Sequence, residues 1–210
     1  MILIGMFDSP FVRRVAVSMT VLAMSFEHRN WSVGADFDNI REFNPLGRVP
    51  VLVLDDGESL VESAMILDYL DDVVGPSRAL LPASGPSRRH ALQLIALSLG
   101  AVDKALAIAG ESAFRPPERR HPPYLARCET QLRGAFDALE RACAARADHA
   151  YLTSDRIQQP DITLACVARY AAEAARIDLA AWPALSIRCA RTESLDVFRR
   201  FYAPFEAPVT

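Results

Sequence analysis

The amino-acid sequence predicts a chain in two parts, an α/β part followed by an all-α part. Residues 1–80 contain 11 of the 15 valines, whereas residues 81–210 contain 28 of the 33 alanines. Valine favours strands and alanine favours helices. A turn-rich segment with three prolines, two glycines and three serines spans residues 75–88. The predicted boundaries are a first domain over residues 1–76, a linker over 77–86 and an all-helical second domain over 87–210.

The charge is also divided between the two parts. Residues 1–80 carry 6 basic and 12 acidic side chains, a net charge of -6, and residues 81–210 carry 17 basic and 14 acidic, a net charge of +3. A nucleic-acid-binding surface needs basic residues clustered on one domain. Neither part shows such a cluster, so no nucleic-acid partner is predicted.

The four cysteines are far apart and form no metal-binding or redox pair. They are Cys128, Cys143, Cys166 and Cys189. No CxxC motif or paired histidines accompany them, so the pattern indicates neither a zinc site nor a disulfide framework and predicts free thiols in a reducing compartment. The longest apolar stretch, residues 91–102, is too short to span a bilayer, and no signal sequence is recognisable. We expect a soluble cytoplasmic protein with no metal and no membrane partner.

The first domain opens with a strand and a helix. Residues 2–6 are apolar and predict a short buried strand. Ser9 is a good N-cap and Pro10 suits the first position of a helix that is expected to run to about residue 24. Two arginines on this helix, Arg13 and Arg14, are expected to pair with acidic groups or to face solvent.

The rest of the first domain reads as an extended stretch over 25–31, a loop, a hairpin and a helix. Strands are predicted for residues 49–54 and 59–61, joined by a turn at 55–57. Ser63 is then expected to cap a helix over 64–73. The order β-α-β-loop-β-β-α follows. Helices are predicted in the second domain at about 87–114, 121–146, 160–176 and 183–191, with a final piece near Leu195.

Three short motifs point to one family. They are Ser9-Pro10-Phe11 between a strand and a helix, Asn44-Pro45-Leu46-Gly47-Arg48-Val49-Pro50-Val51-Leu52, and Glu62-Ser63 after a strand. With these motifs the chain resembles the cytosolic glutathione transferase family, and within it a bacterial serine-type member. The resemblance implies a thioredoxin-like first domain that binds glutathione, an all-α helical bundle that binds an electrophile, and a homodimer.

Ser9 lies where a helix amino end presents free N–H groups and a positive dipole end, a setting that favours a thiolate. The resemblance assigns Ser9 the catalytic role of hydrogen-bond donor to the glutathione sulfur. A plain N-cap is the alternative. Phe11 is expected to bring its backbone N–H or its ring to the same cavity, or else to pack in the core.

The other two motifs are expected to bind the rest of glutathione. The resemblance implies a cis Val49–Pro50 bond, which would leave the main chain of Val49 free to dock the cysteinyl unit as an added strand, with Arg48 near the glycyl carboxylate. Glu62 and Ser63 suit the ammonium and the carboxylate of the γ-glutamyl end. The alternatives are an edge-strand proline, a solvated arginine and a simple helix cap.

The predicted function is the conjugation of glutathione, a co-substrate and not a permanent cofactor, to a small hydrophobic electrophile. Phe201 and the helix over 87–114 are among the expected walls of the electrophile pocket. A glutathione-dependent peroxidase, reductase or isomerase and a non-catalytic binding protein remain as alternatives, and so does a role for Asp103 in the neighbouring subunit's site. Gln158 stands where the family usually has Ser or Thr three residues before Asp161, and a loss of about 1 kcal/mol of helix stability is expected there.

Overall fold

The computed structural model describes residues 1–207 and divides into two compact units. Unit 1 consists of Met1–Ala83 together with the segment that begins at Asp196, and unit 2 is Ser84–Leu195. The predicted fold class is confirmed, because a small four-stranded mixed sheet with helices is followed by a helical unit. Residues 208–210 of the predicted second domain lie outside the described residues.

Unit 1 contains the elements of a thioredoxin-like domain. They are β1 (Ile2–Ile4), α1 (Pro10–Val21), β2 (Glu27–Arg29), α2 (Phe37–Arg41), β3 (Val51–Val53), β4 (Ser59–Val61), α3 (Ser63–Val74) and, later in the chain, α8 (Asp196–Arg200). The strand order is β2-β1-β3-β4. Strand β1 pairs in parallel with β2 and antiparallel with β3, and β3 and β4 form the predicted hairpin.

The sheet supplies a core because its central strands carry apolar residues on both faces. All three residues of β3 are buried, and Ile4, Ile40, Val51 and Val53 form a cluster of buried side chains. Ile40 comes from α2, a five-residue helix in a stretch that the sequence analysis described as a loop. So short a helix shows too little apolar periodicity to be recognised from the sequence.

The start of α3 corrects one prediction. The helix begins at Ser63, and the residue at its N-cap is Glu62, whose side chain accepts a hydrogen bond from the N–H of Ser63. Ser63 is therefore the first helical residue and not the cap. Its hydroxyl is left free for another partner.

Unit 2 consists of helices that match the predicted positions closely. They are α4 (Gly85–Phe114), α5 (Pro122–Ala144), α6 (Gln159–Ala174) and α7 (Pro183–Glu193), with short 3-10 turns at Pro117–Arg119 and Leu179–Ala181. Helix α4 packs against α5 and α6. By length and composition α4 is apolar enough to cross a membrane, but long core helices of soluble proteins pass the same test, and α4 contributes eight buried residues.

The amino end of α6 is organised by a buried carboxylate. Asp161 accepts hydrogen bonds from the backbone N–H of Leu152 at 2.8 Å and of Gln158 at 3.1 Å. Burial raises the pKa of Asp161 against the lowering effect of these bonds. The side-chain oxygen of Gln158 accepts a hydrogen bond from the Thr153 hydroxyl at 2.7 Å, which ties the preceding loop to the helix. The helix-stability loss expected at Gln158 stays a prediction.

The carboxy-terminal segment groups with unit 1, whereas the sequence analysis placed it in the helical domain. Arg13 of α1 is fully buried. Its Nε donates to the carbonyl of Phe201 at 3.0 Å, and a terminal nitrogen donates to the carbonyl of Phe198 at 2.9 Å. Arg13 therefore does not face solvent, and these two hydrogen bonds go to backbone carbonyls, while the expected pairing with an acidic group stays a prediction.

Gly5 lies where the end of β1 comes close to α1 and to the loop before β3. A Cβ there would lie 2.6 Å from a Val12 methyl and 2.8 Å from the Val49 Cβ, and the φ angle of Gly5 is +128°. We predict that Gly5→Ala lowers the free energy of unfolding by about 3–5 kcal/mol, since backbone strain and overpacking both contribute.

The matched control is Gly57→Ala in the hairpin turn, where φ is +92° but nothing lies within 4 Å of the added Cβ. It carries only the backbone penalty of about 1–2 kcal/mol. Urea unfolding of both variants measures the difference, and equal losses would contradict the proposed close packing at Gly5.

Candidate functional site

The strand register brings three chain segments to one edge of the sheet. Ile4 pairs with Val51, and Val51 pairs with Val61, in a single row across β1, β3 and β4. One step beyond that row lie Gly5, Pro50 and Glu62. The loop that carries Ser9, the Val49–Pro50 bond and the start of α3 therefore meet at this edge.

Ser9 stands at the amino end of α1 as its N-cap. The backbone N–H of Val12 donates to the Ser9 Oγ at 3.4 Å, so the oxygen acts as an acceptor. Among residues 1–207 the hydroxyl proton has no acceptor. Ser9 can thus cap the helix and donate a hydrogen bond to a ligand at the same time, and the two readings of this residue are compatible.

The loop before β3 is held together by Asn44. Its side-chain nitrogen donates to the carbonyl of Arg48 at 2.7 Å, and its side-chain oxygen accepts from the N–H of Leu46 at 3.1 Å. Asn44 is only 3% exposed. The sequence analysis gave Asn44 no role, although an asparagine before Pro-x-Gly is typical of a side-chain-stabilised turn.

The Val49–Pro50 peptide bond is cis, as the resemblance implied. The side chain of Val49 packs against the core cluster of Ile4 and Val51. Within the part of the chain that the structure describes, the main-chain N–H and C=O of Val49 take part in no hydrogen bond. These groups lie next to β3 and can receive an extended peptide.

Glu62 and Ser63 combine a strained backbone with an unsatisfied hydroxyl. Glu62 has φ +69° and ψ +120°, a conformation that costs a non-glycine residue free energy and is concentrated at functional sites. Its Oε1 accepts from the Ser63 N–H at 3.0 Å. The Ser63 side chain is 1% exposed, and its Oγ has no hydrogen-bond partner within residues 1–207.

A groove of about 320 Å³, its open side included, lies between these segments. Its lining residues are Phe11, Asn44, Leu46, Arg48, Val49, Pro50, Val61 and Glu62. Five of the seven predicted site residues are among them. The other two, Ser9 and Ser63, lie at the amino ends of α1 and α3, beside residues of the lining.

The groove carries one cation and one carboxylate on a largely apolar surface. Arg48 and Glu62 are both exposed, and the amino end of α3 adds free N–H groups that favour an anion. Such an arrangement can hold a short extended ligand with a carboxylate at one end and an ammonium and a carboxylate at the other.

The cysteines belong to the other unit. All four are buried, and all belong to helices of unit 2. Burial raises the pKa of the Cys143 thiol to about 11 and raises that of Cys189 well above its usual value. In unit 2, Asp103 pairs with Lys104 at 2.7 Å on the surface.

Phe201 lines a cavity of unit 1 together with Phe7, Phe26 and His28, and its expected place in an electrophile pocket stays a prediction. It is 4% exposed and packs edge-on against Phe7 at 4.9 Å between ring centroids, with Phe26 at 6.0 Å. The ring belongs to the packing of the carboxy-terminal segment in unit 1.

Comparisons with known proteins agree with this geometry. The family model for the glutathione S-transferase N-terminal domain matches residues 3–78. The chain is 30% identical over 169 residues, 80% of each sequence, to the uncharacterized GST-like protein YibF of Escherichia coli.

Two solved structures are similar over nearly the whole length. One is a glutathione S-transferase of Methylobacterium radiotolerans in complex with glutathione sulfonate, with 26% identity, a TM-score of 0.89, and coverage of 100% of this chain and 97% of that one. The other is a glutathione transferase family member from Pseudomonas fluorescens with bound glutathione, with 29% identity, a TM-score of 0.82, and coverage of 97% and 99%.

We predict that the native thiols react slowly with Ellman's reagent. With a pKa of about 11, the Cys143 thiol is almost wholly protonated at pH 8, and the thiolate is the reactive form. The reaction should speed up as the pH rises towards that pKa. Unfolding in guanidinium should release all four thiols, and fast stoichiometric labelling of the folded chain at pH 8 would contradict the buried placement.

Proposed function

Because this chain belongs to the glutathione S-transferase family, we propose that it binds glutathione in the groove of unit 1 and activates its thiol for transfer to an electrophile. The substrate class is a small hydrophobic electrophile, expected to be held by the helical domain. Glutathione serves as co-substrate. We also propose that the protein is a homodimer located in the cytoplasm.

One observation carries the proposal: the buried, unpartnered hydroxyl of Ser63 beside the strained Glu62. A buried polar atom without a partner is costly, and it calls for an explanation in a native fold. The γ-glutamyl carboxylate supplies one, because it would accept from this hydroxyl and from the N–H groups of the first turn of α3. The exposed carboxylate of Glu62 would take the adjacent ammonium.

The middle and the far end of glutathione fit the remaining parts of the groove. The cysteinyl unit would pair with the free main chain of Val49 as an added strand. The glycyl carboxylate would lie near Arg48, with an attraction that solvent weakens because this side chain is exposed. Phe11 and Leu46 would cover apolar parts of the bound tripeptide.

Ser9 then acts on the sulfur. Its free hydroxyl proton would donate to the thiolate, a charge-assisted bond worth about 1.5–3 kcal/mol, while the amino end of α1 adds a positive dipole end. Stabilising the thiolate by this amount lowers the thiol pKa by about one to two units. The thiol proton passes to solvent, and the sulfur lone pair forms the new bond to the electrophilic carbon. The bond from that carbon to its leaving group then breaks, and the leaving group, chloride in a chloronitroaromatic, departs with the electron pair.

The proposed chemistry uses the thiolate of glutathione and no thiol of the protein. The sequence has no cysteine before residue 128, so a mixed disulfide with a thiol of the first domain cannot form. Reactions that need only the bound thiolate are consistent with the groove, and conjugation is the one we propose.

Ser9→Ala should leave glutathione binding nearly unchanged and raise the pKa of the bound thiol by about one to two units. Thiolate absorbance of the enzyme–glutathione complex, followed against pH, measures this shift, and conjugation of a chloronitroaromatic should fall in parallel. Ser18→Ala on the same helix, whose hydroxyl donates to a backbone carbonyl at 2.7 Å, is the control and should not move the pH profile. An unchanged profile for Ser9→Ala would remove Ser9 from the proposed role.

Ser63→Ala should weaken glutathione binding by about 10- to 100-fold without lowering the stability of the unliganded protein. The reason is that the substitution removes a hydroxyl that has no partner in the free chain. Calorimetric titration and thermal unfolding test both halves of this prediction.

The control is Ser98→Ala in α4, where the hydroxyl donates to the Leu94 carbonyl at 2.9 Å. This variant should lose stability and keep its glutathione affinity. A Ser63→Ala protein that is less stable but binds glutathione normally would overturn the γ-glutamyl assignment. No retention of the wild-type protein on immobilised glutathione would overturn the proposed function as a whole.

A further inference from the structure

Arg13 links the helix that carries Ser9 to the carboxy-terminal segment. Its backbone N–H donates to the Ser9 carbonyl at 2.9 Å, the first hydrogen bond of α1. Its side chain is fully buried and bridges the carbonyls of Phe198 and Phe201. The guanidinium also lies 5.4 Å from the Phe198 ring centroid. A single residue thus contacts both the nucleophile-activating serine and the end of α8.

The same segment also contacts the loop that leads into Ser9. The Phe201 ring packs against Phe7, which in turn stacks on His28 at 3.9 Å with an interplanar angle of 14°. The N–H of Glu206 donates to the Asp8 carboxylate at 3.5 Å. Both residues that immediately precede Ser9 therefore touch the carboxy-terminal segment.

The bridge is specific for an arginine. Two carbonyl oxygens that lie near one another need two donors in a fixed geometry, and the planar guanidinium supplies them from one side chain. The two carbonyls lie at and just beyond the end of α8, where a cation is favoured, and the Phe198 carbonyl also accepts from the N–H of Phe201 at 3.3 Å. A buried guanidinium is strongly destabilising unless its N–H groups are hydrogen-bonded, and the two carbonyls of the bridge accept from two of them.

From these contacts we infer that Arg13 is a positioning residue for Ser9. By holding the carboxy-terminal segment against the Phe7–Asp8 loop, it fixes the direction of the Ser9 hydroxyl and of the first N–H groups of α1. The inference rests on the proposed role of Ser9, and it concerns the thiolate and not the binding of the tripeptide, because Arg48, Val49, Glu62 and Ser63 lie on other segments.

The physical basis is the sensitivity of a charge-assisted hydrogen bond to geometry. A hydroxyl that is free to turn away from the sulfur spends part of its time bonded to water, and its stabilisation of the thiolate falls accordingly. Removing the bridge should therefore raise the thiol pKa in the complex while leaving glutathione affinity close to that of the wild type.

The test compares Arg13→Met and Arg13→Lys with the wild type. Thiolate absorbance against pH should show a bound-thiol pKa raised by about one unit in Arg13→Met, and kcat near the wild-type pKa should fall about fivefold. KM for glutathione should stay within about twofold. Arg13→Lys retains the charge but presents a point charge in place of the planar fork, so a smaller shift in the same direction is expected.

A matched control is available in unit 2. Arg188 is 6% exposed and donates to the carbonyls of Ala150 at 3.0 Å and Arg146 at 2.7 Å, which is the same kind of bridge far from Ser9 in sequence. Arg188→Met should lower the thermal stability as Arg13→Met does and should leave the pKa of the bound thiol unchanged.

The outcomes separate the inference from the proposed function. If the wild-type complex shows no depressed thiol pKa, the proposed role of Ser9 fails and the inference with it. If the wild-type pKa is depressed and both Arg13 variants keep it while losing stability, Arg13 is only a structural residue. If Arg13→Met does not fold, the shift in Arg13→Lys alone decides, and no shift overturns the inference.

Discussion

The antiparallel register of β3 with β1 and β4 is the constraint on which the site of unit 1 depends. Pairing Ile4 with Val51 and Val51 with Val61 places the ends of three chain segments in one row. A slip of one residue would exchange the faces on which the side chains of the shifted strand pack and would move these segment ends out of one row. The apolar side chains of β1 and β3 therefore determine where Ser9, the cis Val49–Pro50 bond and Glu62 meet, although none of those residues lies in a strand.

What meets at this edge is a set of polar groups that the fold leaves incompletely satisfied. The Ser9 hydroxyl proton, the Val49 main chain and the Ser63 Oγ each have bonding capacity unused by residues 1–207. The strained backbone of Glu62 belongs to the same pattern. Stability alone would favour pairing these groups, so their common location supports a ligand-binding role, and the free energy they cost is offset by the packed sheet beside them.

Much of the site was predictable from short stretches, because its parts are local. A serine before a proline at a helix start and a hairpin with a glycine turn are each formed by neighbouring residues. The prediction from the sequence was wrong where a residue depends on a contact outside its own segment or where a helix is short. Helix α2 has too few residues to show an apolar period. At the start of α3 the N-cap is Glu62 and not Ser63, and the unusual backbone angle of Glu62 depends on the strand before it.

The sequence by itself determined the two-part architecture and the positions of most helices, since these follow from apolar periodicity and turn chemistry over a few residues, and the resemblance of its motifs to a known family indicated the candidate residues of the groove. Only the tertiary structure decided the role of Arg13 and the place of the last segment. Both depend on a hydrogen bond between residues that are 188 positions apart in the chain. A local sequence pattern does not indicate which distant carbonyl accepts a hydrogen bond from a buried guanidinium. The same reason explains Ser63, because a hydroxyl is known to lack a partner only when every atom around it has been placed.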